Sequence, residues 1–80
     1  MVKTFTFVNV EAGRAKDVYH ELKKITRKIN AEIYGLFGEY DFLVITDSGT
    51  LKTAANRVVK DIQSIDGVWT TRTLVEAEFE

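Results

Sequence analysis

The stretch AEIYGLFGEYDFLVIT, residues 31–46, holds two strand-like runs around one turn. Ala31 to Phe37 reads as a strand ending at Gly38, and Tyr40 to Thr46 reads as the next. The second run is nearly continuous in apolar residues (Phe42, Leu43, Val44, Ile45), the pattern of a central strand covered on both faces. Between the runs, Gly38-Glu39-Tyr40-Asp41 puts a flexible glycine, an aromatic hydroxyl and two carboxylates at one tight connection. A hairpin turn needs only a glycine and a polar partner, so the tyrosine and the second acid ask for a further reason, which a ligand would supply.

Upstream, Val2 to Val10 alternates as a strand, with Phe5 and Phe7 on one side and Thr4, Thr6, Val8 and Val10 on the other. Glu11-Ala12-Gly13 turns the chain, and Gly13 is placed to N-cap a helix running to about Lys28. Val18, Leu22, Ile25 and Ile29 form one helical stripe, flanked by Tyr19, and Asn30 is a break. Downstream, Asp47-Ser48-Gly49-Thr50 supplies caps for a second helix whose stripe is Leu51, Ala54, Ala55, Val58, Val59, Ile62 and Ile65. Gly67 ends that connection by permitting positive φ, and Val68 to Phe79 reads as the last and longest strand.

The order is therefore β-α-β-β-α-β in a single domain spanning residues 1–80, an α+β chain with the ferredoxin-like pattern: an antiparallel sheet with both helices on one face. That pattern leaves one inconsistency. If both helices cover one face, the other should be polar, yet apolar residues occupy both parities: Phe5 with Val8, Phe42 with Leu43, Trp69 with Val68, Val75 with Leu74. An 80-residue chain is also near the size at which a core alone is marginal. Sheet-against-sheet dimerisation resolves both points.

Composition excludes several classes of function. The chain is 45% hydrophobic and 29% charged with a formal net charge of -1, which suits a globular domain and does not suit one that grips nucleic acid by net basicity. There is no cysteine, so disulfides, thiolate nucleophiles and Cys-based zinc motifs are excluded. No basic-then-apolar leader opens the sequence and no apolar run approaches the ~20 residues of a membrane span, so the expected location is cytoplasmic, without membrane association.

Catalytic signals are weak. The one histidine, His20, projects away from the apolar stripe, and no second His or Cys is available for a metal site or a nucleophile-base pair. Glu39 and Asp41 would point to opposite faces if they lay in a strand, a poor geometry for paired-carboxylate catalysis. No enzyme activity, metal or cofactor is expected. Lys23, Lys24, Arg27 and Lys28 close the first helix, where cations complement the helix dipole. Phe5, Phe7, Phe42 and Trp69 suit core or interface packing better than base stacking, because the strand-borne basic signature of RNA-recognition modules is missing. Thr70, Thr71 and Thr73 form a dense hydroxyl cluster around Arg72. Threonine is a good strand residue, but Thr71 and Thr73 share parity and could hydrogen-bond a small polar ligand from one face.

Three segments together carry a family resemblance: Val8-Asn9-Val10-Glu11-Ala12-Gly13-Arg14 after the first strand, Gly38-Glu39-Tyr40-Asp41 at the hairpin, and Ile65-Asp66-Gly67-Val68-Trp69-Thr70-Thr71-Arg72-Thr73 entering the last strand. In this order and over essentially all 80 residues the chain resembles the regulatory ligand-binding (RAM) domain of Lrp/AsnC transcription regulators. The resemblance implies a ferredoxin-like fold that dimerises through its sheets into a dimeric α+β barrel and assembles further into an octamer or similar ring. It also implies an amino acid effector bound at subunit interfaces, with Gly38, Glu39, Tyr40, Asp41, Thr71 and Thr73 as candidate contacts.

Family members typically carry an amino-terminal helix-turn-helix, whereas this sequence starts directly at its first strand. It therefore resembles the stand-alone form of the domain, with no direct nucleic-acid contact implied and full-length Lrp/AsnC regulators as possible partners. A rival reading from another class is a structural protein that forms rings or mixed assemblies without ligand dependence. A small enzyme of the dimeric α+β-barrel type has only fold analogy behind it.

Overall fold

A computed structural model describes residues 2–29, 31–48, 51–77 and 79, with side chains described for these except at 2, 48 and 51–55. The elements are β1 (Val2–Val10), α1 (Ala15–Ile29), β2 (Glu32–Gly35), β3 (Phe42–Ser48), α2 (Leu51–Gln63) and β4 (Val68–Val75). The strands form one antiparallel sheet in the order β2-β3-β1-β4. This is the expected α+β, ferredoxin-like βαββαβ architecture. The break expected at Asn30, the caps at Gly49 and Thr50, and the stripe positions Leu51, Ala54 and Ala55 lie outside the described residues or side chains.

Both helices pack on one face of the sheet. The register opposes Val8 to Phe42, Thr6 to Val44 and Thr4 to Thr46, and all six are buried. Val18 and Leu22 of α1, with Val58 and Ile62 of α2 and Ile65 just beyond it, complete that core. Spacings of three and four along each helix put these residues on one side, so the stripe read from sequence locates the core. One member differs: Ile29 is 36% exposed, and the buried position is Thr26, whose hydroxyl donates to the Lys23 carbonyl. The helix face continues from Val18 through Leu22 by steps of four, which reaches Thr26 and leaves Ile29, the last helical residue, off that line.

Element ends also differ from the sequence reading. Gly13 adopts φ +81° as a turn residue, and the helix starts after Arg14, whose carbonyl accepts the first helical bond from Val18 N at 3.0 Å. Strand β2 stops at Gly35 rather than Phe37, and β3 begins at Phe42 rather than Tyr40. The connection is a wider loop closed by Leu36 N donating to the Asp41 carbonyl at 2.9 Å. Strand β4 stops at Val75 rather than Phe79: past the Thr4–Val75 pair Glu76 N still donates to the Lys3 carbonyl at 2.8 Å, but the Lys3 amide donates to the Glu76 side-chain Oε1 at 3.0 Å and the backbone ladder ends there.

The uncovered face carries the other parity of each strand. Phe5 and Phe7 of β1 lie opposite Ile45 and Leu43 of β3 on one side, and opposite Leu74 and Arg72 of β4 on the other. Tyr34 of β2 opposes Leu43. The four central residues are half-buried, while Leu74 and Tyr34 are each 48% exposed. The sheet thus presents an apolar aromatic surface on the side that no helix covers.

Candidate functional site

The β2–β3 loop folds back over this open face. The Tyr40 ring lies on Phe7 with centroids 4.8 Å apart and planes tilted by 37°, a favourable aromatic pairing. Phe7 is directly opposite Arg72 on β4, so the Arg72 side chain emerges beside the same ring. The guanidinium pKa of Arg72 is raised above the ordinary arginine value, chiefly by the neighbouring Tyr40 hydroxyl and less by the Glu39 carboxylate. Phe7, with Tyr40 stacked on it and Arg72 opposite it in register, therefore anchors the loop at the end of the sheet.

Asp41 has a different local task. Its backbone N–H donates to the Val8 carbonyl at 3.0 Å, and its Oδ2 accepts from Val10 N at 2.8 Å. The carboxylate thus caps the end of β1, where a bulge between Asn9 and Val10 shifts the β4 pairing and leaves the Val10 amide in need of a partner. Asp41→Ala removes this strand contact along with any ligand contact, so a loss of affinity there does not alone assign Asp41 to a ligand. Gly38 adopts φ +127°, a conformation that side-chain-bearing residues rarely reach, and allows the loop to reverse. Glu39 is exposed at the loop tip, next to Phe37 and Gly38, which are also exposed.

Of the residues singled out by sequence, Gly38, Glu39, Tyr40 and Asp41 are brought together and the threonines are not. Thr71 opposes Val8 and Thr73 opposes Thr6, on the helix-covered side of β4. Thr71 accepts a hydrogen bond from Gln63 Nε2 at 3.0 Å, and Thr73 shares one with the Thr6 hydroxyl at 3.4 Å. Thr71 lines a recess of about 260 Å³ with Gln63, Val68, Trp69 and Thr70, across the strand from Tyr40. The residues that sequence reasoning missed are Phe7 and Arg72. Their signal was the alternation that puts Arg72 opposite in parity to Thr71 and Thr73, but only the β1–β4 register brings Arg72 to Phe7.

A larger recess, about 670 Å³, opens on the helix side between α1 and the end of α2. Its charged rim is largely self-paired: Arg14 bridges Asp17 at 3.4 Å and Asp66 at 3.2 Å. These contacts, Asp66 foremost, raise the Arg14 pKa above its usual value. His20 lies on this rim, edge-on to Tyr19 at 6.2 Å, on the opposite side of the sheet from Tyr40. Among the described residues no group of three or more His, Asp or Glu is arranged to hold a metal. No helix among them is long and apolar enough to cross a membrane.

No protein-family model and no curated protein matches the sequence. Solved structures do match. That of FFRP-DM1, a feast/famine regulatory protein, is 26% identical, with 96% of this chain and all of that one covered at a TM-score of 0.77. AsnC of E. coli is 23% identical at TM-score 0.73, covering 98% of this chain and 52% of AsnC, so the chain corresponds to about half of that regulator. A transcriptional regulator of Neisseria meningitidis, solved in complex with L-methionine, is 19% identical at TM-score 0.73, over 96% of this chain and 50% of that one. A putative antibiotic biosynthesis monooxygenase from Deinococcus radiodurans also matches, at 11% identity and TM-score 0.70 over all of this chain and 94% of its own. At that identity it shares the fold alone. From β1 to β4, in element order and over nearly its full length, the chain is similar to the RAM-like regulatory domain of the Lrp/AsnC and feast/famine regulators.

Proposed function

We propose that this chain is an oligomerising regulatory module that binds an amino acid where the Tyr40 loop meets a neighbouring subunit. The observation that carries this reading is the docking of Tyr40 on Phe7 at 4.8 Å, which puts the loop at the margin of the open apolar sheet face. A second copy seated on that face would bury Phe5, Phe7, Leu43, Ile45 and Leu74 and give the small core the extra apolar burial it needs. The loop would then form one wall of a boundary cleft. Gly38 frees backbone groups there, and Glu39, Tyr40 and Asp41 supply polar contacts. Thr71 and Thr73 would contribute only from the far side of β4, around the Gln63 recess.

The L-methionine complex of the Neisseria regulator supports an amino acid as the effector class. In this reading the module works in the cytoplasm, without cofactor or catalysis. It acts by assembly into rings or by joining full-length regulators, with no nucleic-acid contact of its own. The net charge of -1 and the position of His20 at the helix-side recess, whose lining does not include Tyr40, both support that division of labour.

Calorimetric titration of the assembled protein with each of the twenty L-amino acids tests the reading. At least one should bind with a dissociation constant of about 1 mM or below, and Tyr40→Ala should weaken it about tenfold. An assembly that binds none of them at millimolar concentrations is instead a purely structural ring-former.

A further inference from the structure

We propose that Asp41 is the positioning residue of the Tyr40 loop: its carboxylate locks the loop to the end of β1, and a bound amino acid feels Asp41 only through the place it gives Tyr40. This deepens the reading given above, and its ligand arm rests on that reading. Asp41 bonds in three directions. Its carbonyl accepts from Leu36 N at 2.9 Å and so closes the loop on itself. Its own N–H donates to the Val8 carbonyl at 3.0 Å, and its Oδ2 accepts from Val10 N at 2.8 Å. The carboxylate is thus turned towards β1 and already engaged there.

The bond to Val10 matters because regular pairing ends at this point. Val8 opposite Phe42 is the last β1–β3 pair. On the other side Asn9 opposes Thr70 and Val10 opposes Val68, so Trp69 is the extra residue of the β4 bulge. Val10 is half-buried, and an amide left there without a partner is costly. The next amide, Glu11 N, is held by the Gly67 carbonyl at 2.8 Å, so the end of β1 is fixed from two sides and offers the loop a firm anchor.

That anchor decides where Tyr40 lies. Tyr40 and Asp41 are neighbours and they dock on one stretch of β1: Asp41 on Val8 and Val10, the Tyr40 ring on Phe7 at 4.8 Å. Towards the tip, Gly38 at φ +127° has open space around it, and Phe37, Gly38 and Glu39 are all exposed. Removing the Asp41 carboxylate leaves two backbone bonds and the ring contact, but it orphans the Val10 amide. To regain a partner that amide must admit water or draw the end of β1 away, and either change displaces the Tyr40 ring. An asparagine oxygen can accept the same bond, though more weakly. The lock therefore requires an acceptor, whereas a direct contact with an α-ammonium requires the charge.

The test uses the assembled protein with Asp41→Ala, Asp41→Asn and Tyr40→Ala, read by amide hydrogen exchange and calorimetry. Without ligand, Asp41→Ala should speed exchange of the Val10 amide about tenfold or more and Asp41→Asn about threefold or less, while the core amides of Leu22 and Val44 keep the parent rate. With the amino acid that binds tightest among the twenty, Asp41→Ala should weaken affinity about as much as Tyr40→Ala does. The double variant should be no weaker than Tyr40→Ala alone, and Asp41→Asn should stay within about threefold of the parent. The proposal is overturned if Val10 exchange is unchanged in Asp41→Ala, if the two alanine losses add, or if Asp41→Asn keeps Val10 protected yet loses as much affinity as Asp41→Ala. The last two outcomes make the carboxylate a ligand contact. If Asp41→Ala does not fold, the same comparison of Asp41→Asn with the parent decides. A parent that binds none of the twenty amino acids defeats the amino acid reading, and the exchange rates then decide the lock by themselves.

Discussion

Replacing Gly67 by alanine is expected to lower the stability of the folded chain by about 2–5 kcal/mol, from backbone strain of about 1–2 and overpacking of about 1–3. Gly67 is buried at φ +105°, and its carbonyl accepts from Glu11 N at 2.8 Å, tying the α2–β4 turn to the end of β1. An added Cβ would sit 3.0 Å from a Val18 methyl and 3.1 Å from the Arg14 Cβ. Neither is the free end of a flexible side chain, so the chain at Arg14 and the first turn of α1 must give by a few tenths of an ångström. For a domain of this length the total stability is about 4–12 kcal/mol, and the loss would consume much of it. Gly13→Ala is the control: φ is +81° there, with nothing within 4 Å of the new Cβ, so only the strain is added. Denaturant midpoints should fall far more for Gly67→Ala than for Gly13→Ala. Equal shifts would mean that α1 packs loosely over the turn.

Phe5→Lys is expected to convert the proposed dimer to monomers, raising the dissociation constant roughly 100-fold or more, because an unpaired ammonium in an apolar interface costs several kcal/mol. Phe5 lies near the middle of the open face, between Ile45 on β3 and Leu74 on β4, with no carboxylate opposite it. It is absent from the helix-side core, so the monomer should keep its far-ultraviolet circular dichroism. Sedimentation velocity across a concentration series reads the effect. An unchanged dimer would mean that the copies meet elsewhere, on a sheet edge or through the helices.

The fold was legible in the sequence because its signals are local. The stripe from Val18 to Leu22, the turn at Gly67 and the apolar run from Phe42 to Ile45 each depend on spacing along one element, and each is where spacing puts it. Strand ends were less legible, because they depend on contacts with a partner strand: β4 ends at Val75, where the Glu76 side chain takes the Lys3 amide across the sheet, whatever the propensity of the residues that follow. The site was half legible. The loop residues Gly38 to Asp41 are adjacent in sequence and stay together in space. The split between Thr71 and Arg72 depends on the β1–β4 register, and the bond from Val10 N to Asp41 spans 31 positions, so neither could be read from one segment.

The most direct test of the account is a crystal structure of the assembled protein grown with the amino acid that binds tightest. The account predicts difference density for that amino acid in contact with Tyr40, at a boundary where a second copy covers Phe5 and Phe7. Density confined to the α1–α2 recess, or a Tyr40 loop open to solvent with no subunit beside it, would contradict the account.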